Sequence, residues 1–259
     1  MQFDLRVEID REAVKARALQ KLWEGHYGDQ VAPAGNRLGE VINALRGIFP
    51  RITREEFDHE FGEAIEATLV QMERSLPGLQ EVTRSALGNG KILCLSEAPD
   101  NTLMWAHYAD QHQGIVLRFR SAPDVDSPWP MARPVNYVTG MPLLIDTDFL
   151  ADFLSGRAML RPRPIMDRIV YTKSADWAYE REWRIFSGAG RNPNAAYEDV
   201  RFHPLELDAV ILGCRLADEE RVAFIESTRR LYPHAEILHA VRSERLFQLT
   251  SSRWTGGDC

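Results

Sequence analysis

From Asp10 to about Leu87, apolar residues return at helical spacing. Ala13, Ala16, Leu19, Leu22 and Trp23 share one face behind Asp10, a good N-cap, and Phe57, Phe61, Ile65, Leu69 and Met72 form a second stripe. Thr53 and Glu56 precede that stripe at the spacing of a capping box, in which each side chain takes up a backbone amide near the other. Gly28, Pro33, Gly35, Pro50, Pro77 and Gly78 punctuate the run. After Gly88-Asn-Gly90, a turn signal, the pattern changes to short apolar and β-branched runs. Strands are predicted at 92–95, 114–119, 135–138, 169–171, 183–186 and 209–212. Helices are predicted between them at 102–111, 147–159 and 217–231, and the proline-rich stretches 121–134 and 161–164 predict loops or extended connections. This order predicts one α+β domain over 1–259. A helical N-terminal region, 1–88, packs on a mixed, mainly antiparallel β-sheet with interspersed helices, carried by 89–250.

Composition narrows the class. The 259 residues are 44% hydrophobic and 27% charged, the balance of a chain that buries a core. A net charge of −7 gives no general attraction to phosphate backbones or anionic lipid, and no basic patch offsets it, so there is no strong nucleic-acid signal. No apolar run approaches the roughly 20 residues that span a bilayer, and the N-terminus lacks the pattern of a signal peptide. Cys94, Cys214 and Cys259 lie far apart without paired spacing, so neither a disulfide framework nor a zinc site is expected. A soluble cytoplasmic protein with no membrane partner and no tightly bound cofactor follows as the expectation.

The chemistry concentrates in two segments. In Trp177-Ala-Tyr-Glu-Arg-Glu-Trp-Arg184, strand alternation predicts Glu180, Glu182 and Arg184 on one face, with Tyr179, Arg181 and Trp183 on the other. Two adjacent carboxylates separate their pKa values and can divide acid and base roles. The plainer reading is an ion-pair network with Arg118, Arg120 or closer neighbours. In Trp105-Ala-His107-Tyr108-Ala-Asp110, a helix places His107 and Asp110 together at i, i+3, as a base with its orienting carboxylate or as a hydrogen-bonded structural pair. Cys94 and Ser96 lack a nucleophile elbow, and neither a P-loop nor a Gly-x-Gly-x-x-Gly motif is present. Asp110, Glu180 and Glu182 are not spaced as a recognisable metal set, so no metal ligands are assigned.

The chain also resembles a known family. Cys94-Leu-Ser96-Glu97, the segment Asn101 to Asp110, Gly114-Ile-Val-Leu-Arg-Phe119, Val170-Tyr171, Lys173, Trp177, Tyr179 to Arg184, Pro204-Leu and Val210-Ile-Leu-Gly213 are similar, in that order, to successive motifs of the bacterial domain of unknown function 2971. The resemblance implies a strand-and-helix module ahead of Met1-Gln-Phe-Asp in the family's usual members, and the expectation here is either a shortened version or a misplaced start. The family's layout is similar to that of ADP-ribosyltransferases, where a Glu-x-Glu strand sets a carboxylate against the nicotinamide ribose of NAD. That implies NAD as substrate, Glu182 stabilising the oxocarbenium-like centre and Glu180 orienting or deprotonating the acceptor. Tyr171 would stack on nicotinamide, Ser96 and His107 would hold ribose or phosphate oxygens, and Arg184 and Trp105 would complete the cofactor contacts. The rival expectation is a non-catalytic binding or partner module of a bacterial defence or toxin system. The sequence names neither the acceptor nor the oligomeric state.

Overall fold

Asp10 does cap a helix, its carboxylate accepting from Ala13 N at 3.1 Å, and Thr53 with Glu56 forms the expected reciprocal box, Thr53 N to Glu56 Oε2 at 2.8 Å and Glu56 N to Thr53 Oγ1 at 3.2 Å. The structure, a computed structural model, describes residues 6–7, 9–29, 31–33, 35–46, 48, 50–159 and 161–255. Its strands are β1 (Arg6–Val7), β2 (Ile92–Ser96), β3 (Ile115–Phe119), β4 (Arg133–Pro134), β5 (Asn136–Val138), β6 (Leu143–Ile145), β7 (Thr172–Ser174), β8 (Glu182–Phe186), β9 (Leu207–Leu212), β10 (Glu236–Arg242) and β11 (Leu249–Arg253). Its helices are α1 (Arg11–Tyr27), α2 (Arg37–Leu45), α3 (Arg54–Gly88), α4 (Thr102–Tyr108), α5 (Thr147–Leu154), α6 (Pro162–Val170) and α7 (Asp218–Leu231). The class is α+β. Among the described residues no helix is long and apolar enough to cross a membrane.

The chain divides into two compact units, Met1–Gly88 with Gly140–Thr172, and Asn89–Thr139 with Lys173–Cys259. The helical region is therefore not the contiguous 1–88 of the single-domain expectation. The added segment belongs to it because Ile145, Leu150, Ala151 and Ile169 join one core with Val14, Ala18, Leu19 and Leu22 of α1, Ile42 of α2 and Phe57, Ile65 and Leu69 of α3. The stripe on α3 is the predicted one. On α1 the buried face turns to Val14, Ala18 and Leu22, leaving Ala16 exposed. Pro77 and Gly78 do not break α3, which runs through them to Gly88.

Two predictions in this unit fail for one reason. Residues 161–164 are not an extended loop, and 169–171 are not a strand: Pro162 sits in the first turn of α6, whose last residues are Ile169 and Val170. A first-turn proline has the φ of a helix and needs no amide donor, so Arg-Pro-Arg-Pro can open a helix as readily as it can interrupt a sheet. The helices predicted at 102–111 and 147–159 are real but end early, at Tyr108 and Leu154.

In the other unit, β9 is the centre of a four-stranded sheet of order β11-β10-β9-β3. It is parallel to β10 and antiparallel to β3, with α7 as the crossover between β9 and β10. Its apolar run is buried on both faces. Ala209 and Ile211 pack with Trp105 and Ala109 from the α4 segment, and Val210 and Leu212 pack with Ile225 of α7. A separate antiparallel sheet has the order β2-β8-β4, with Pro134 on its edge, where a missing donor costs nothing. After α4 the chain makes a tight turn in which Asp110, Gln111 and His112 all have positive φ, 45°, 51° and 70°. Asp110 therefore does not continue the helix that was to place it beside His107.

Candidate functional site

The three-stranded sheet presents the candidate cluster. Across its antiparallel ladder Ser96 stands opposite Glu182, and Cys94 opposite Arg184. Glu182 and Arg184 share a strand face as predicted, but Glu180 is not on that strand. It ends a 3-10 segment, Ala175–Glu180, and Arg181 follows in the left-handed region at φ 46°, ψ 52°. An arginine held there costs on the order of 1–2 kcal/mol. Three long-range hydrogen bonds hold the turn: Ser96 Oγ to Glu180 O at 2.6 Å, Glu97 N to Arg181 O at 3.2 Å and Asn101 Nδ2 to Tyr179 O at 3.3 Å.

The carboxylates meet through Lys173, on β7. Its ammonium bonds Glu180 and reaches Glu182 Oε2 at 3.1 Å, and it stands 5.0 Å over the Trp177 ring. Arg184 closes on Glu182 in a fork, Nε to Oε1 at 2.8 Å and Nη2 to Oε2 at 3.0 Å. Tyr108 Oη donates to the other Glu180 oxygen at 2.8 Å, and Glu182 N donates to Tyr137 Oη at 2.8 Å. Two carboxylates thus balance two cations. Glu180, Glu182 and Arg184 are 2%, 5% and 4% exposed.

Burial alone would raise the Glu182 carboxyl, but hydrogen bonds from Arg184, Cys94 and Lys173 outweigh it and hold the group at about 2. Against desolvation, bonds to Glu180 and then Glu182 hold Lys173 above its ordinary value, and the bond to Glu182 does the same for Arg184. The Cys94 thiol, desolvated beside Glu182, is pushed up to about 12, although the residue as a whole is exposed. It is a thiol at neutral pH, not a nucleophile. Desolvation and the bond to Glu180 raise the Tyr108 hydroxyl to about 12.

The structure gathers Glu180, Glu182, Arg184 and Ser96, and brings His107 to the margin, 6.3 Å from the Trp177 ring between centroids. Ser96 spends its hydroxyl on the Glu180 carbonyl and accepts from Ala98 N. Trp105 belongs elsewhere, in the core over β9, with Nε1 bonded to the Pro99 carbonyl at 2.7 Å. Tyr171 caps α6 in the helical unit. Arg118 pairs with Asp208 and Glu236, and Arg120 approaches Asp208, so neither supplies the counter-charge. Lys173 does, and Tyr108 and Tyr137 complete the shell. The sequence carried a faint signal for Lys173, a lysine on a short strand just ahead of two buried acids. Cys259 lies outside the described residues. The chain matches no family model, and no curated protein and no solved structure is similar to it.

Proposed function

We propose that this chain is a non-catalytic binding or partner module and that its Glu-x-Glu cluster is architectural. One observation carries the reading: Glu182 is buried, and both of its oxygens are already taken by Arg184 and Lys173. A carboxylate serving an oxocarbenium-like centre must face it, and breaking this closure would take the carboxylate away from a buried guanidinium. The cluster instead stiffens a support for exposed rings. Tyr108 is 63% and Trp177 38% exposed, both anchored from beneath by Glu180 and Lys173. Rigid Tyr and Trp side chains are favoured contact residues at interfaces.

Incubation of the purified protein with NAD tests the proposal against the transferase reading. No nicotinamide should be released, and NAD should produce no saturable change in tryptophan fluorescence. Release that disappears in Glu182→Gln while the variant remains folded would overturn the proposal and restore NAD chemistry.

A further inference from the structure

Three strands of the four-stranded sheet meet at one end. β10 follows β9 at a constant offset, Glu236 opposite Ala209 through His239 opposite Leu212, and β3 runs back with Ile115 opposite Leu212. Past these pairs the first offset brings the end of β10, at Arg242, level with the turn Gly213–Leu216 that follows β9, and the second sets Arg215 beside His112. The second juxtaposition is realised in hydrogen bonds: Gly213 N donates to Gly114 O and Arg215 N to His112 O, each at 3.0 Å. This is the carboxyl end of two parallel strands joined by a helix, the place where open α/β sheets take ligands.

The charges there are unbalanced. Arg215 and Arg242 are both exposed, and neither guanidinium has a hydrogen bond or ion pair among the described residues. Elsewhere in the unit Arg118, Arg221 and Arg253 each have a carboxylate. His112 adds a third basic group whose Nδ1 is buried without a hydrogen-bond partner among the described residues, and burial, Arg242 and Arg215 together hold its imidazole below the ordinary value. Like charges gathered at one sheet end repel, a cost that an anion between them would reverse. The carboxylates nearest in sequence are Asp110, on the same turn as His112, Glu244, two residues beyond Arg242, and those of the first turn of α7, where Asp218 lies 3.7 Å from Arg221.

We infer that Arg215, Arg242 and His112 form a binding site for a phosphate dianion, either the free ion or the monoester of a small metabolite. Two guanidiniums can each offer a planar pair of donors to its oxygens. The site lies on a different sheet from Glu182, so it stands or falls independently of the function proposed above.

The test is a titration of the full chain with inorganic phosphate, and separately with glycerol phosphate, at constant ionic strength, followed by backbone amide and histidine ring NMR. Saturable shifts are expected at Gly114, Arg215 and Arg242, with a rise in the His112 pKa on binding. Arg215→Ala and Arg242→Ala should each weaken binding about tenfold or more, a loss of the size expected for charge-assisted hydrogen bonds. Both side chains are exposed, and spectral dispersion verifies that the variants fold. Saturation by phosphate identifies the free ion, and saturation by glycerol phosphate alone identifies the monoester. Saturable shifts from neither probe, or equal affinity in the double variant, would overturn the site.

Discussion

Replacing Glu182 by Gln should cost stability on a scale the cluster itself sets. The carboxylate accepts from Arg184 at 2.8 and 3.0 Å and from Lys173 at 3.1 Å, and the 4% exposed Arg184 has no solvent to fall back on. Removing one partner of a buried ion pair costs about 3–5 kcal/mol, because the surviving charge stays desolvated. Linkage gives an independent figure. The Glu182 carboxyl titrates at about 2 in the folded protein against an ordinary value of 4.5, a gap worth about 3 kcal/mol at roughly 1.4 kcal/mol per pH unit. Because the folded value is the depressed one, this stability is present above pH 4.5 and is lost as pH falls toward 2. Urea unfolding of Glu182→Gln at neutral pH should therefore show a loss of about 3 kcal/mol or more. The variant should lack the wild-type decline between pH 4.5 and 2 that belongs to this group. Replacing both partners, Glu182→Leu with Arg184→Met, should cost less than the two single losses combined, since no charge is stranded. A loss below about 1 kcal/mol in Glu182→Gln, the value of an exposed pair, would refute the architectural account.

Two further perturbations probe each unit separately. His26 is buried among Phe57, Phe61 and Tyr27, and burial and the nearby Arg46 hold its imidazole below 6.5. Its neutral form is the folded one, so the helical unit should lose stability as pH falls below 6.5 toward that lower value, and denaturation midpoints for His26→Phe should lose this dependence; an unchanged profile would remove His26 from the account. In the sheet unit, a Cβ on Gly213 would lie 2.2 Å from the His112 carbonyl oxygen and 2.7 Å from that of Gly114. Both are backbone atoms that cannot swing aside, so Gly213→Ala should destabilise by roughly 2 kcal/mol or more in thermal unfolding, and a neutral result would mean that the turn yields.

Much of the architecture was legible in the chain because it depends on near neighbours. The caps at Asp10 and Thr53 act within one turn, the α3 stripe repeats every three or four residues, and β9 declares its double burial through an unbroken apolar run. Composition and periodicity were enough for the α+β class. The pattern does not predict β10 and β11, since Glu236, His239 and Arg242 interrupt the apolar residues of one and the other is polar after Leu249. The pattern at 161–164 and 169–171 predicts a loop and a strand where one helix stands, since prolines serve a helix start as well as a loop.

The candidate site was legible as residue types and not as geometry. Glu180, Glu182 and Arg184 stood out as buried charges needing partners, a demand that follows from desolvation alone. Their partners did not follow. Lys173 reaches both carboxylates because Arg181 is forced left-handed by bonds from Ser96, Glu97 and Asn101, some eighty residues upstream. Likewise, Arg215 meets His112 only through the register that pairs β3 with β9, and Arg242 ends β10 on the other side of β9. Local pattern determines which segments form helix or strand, because those choices rest on propensity and burial within a few residues. Which charge meets which is settled by chain closure over long distances, where a single backbone turn or a one-residue shift in register would give every carboxylate a different partner.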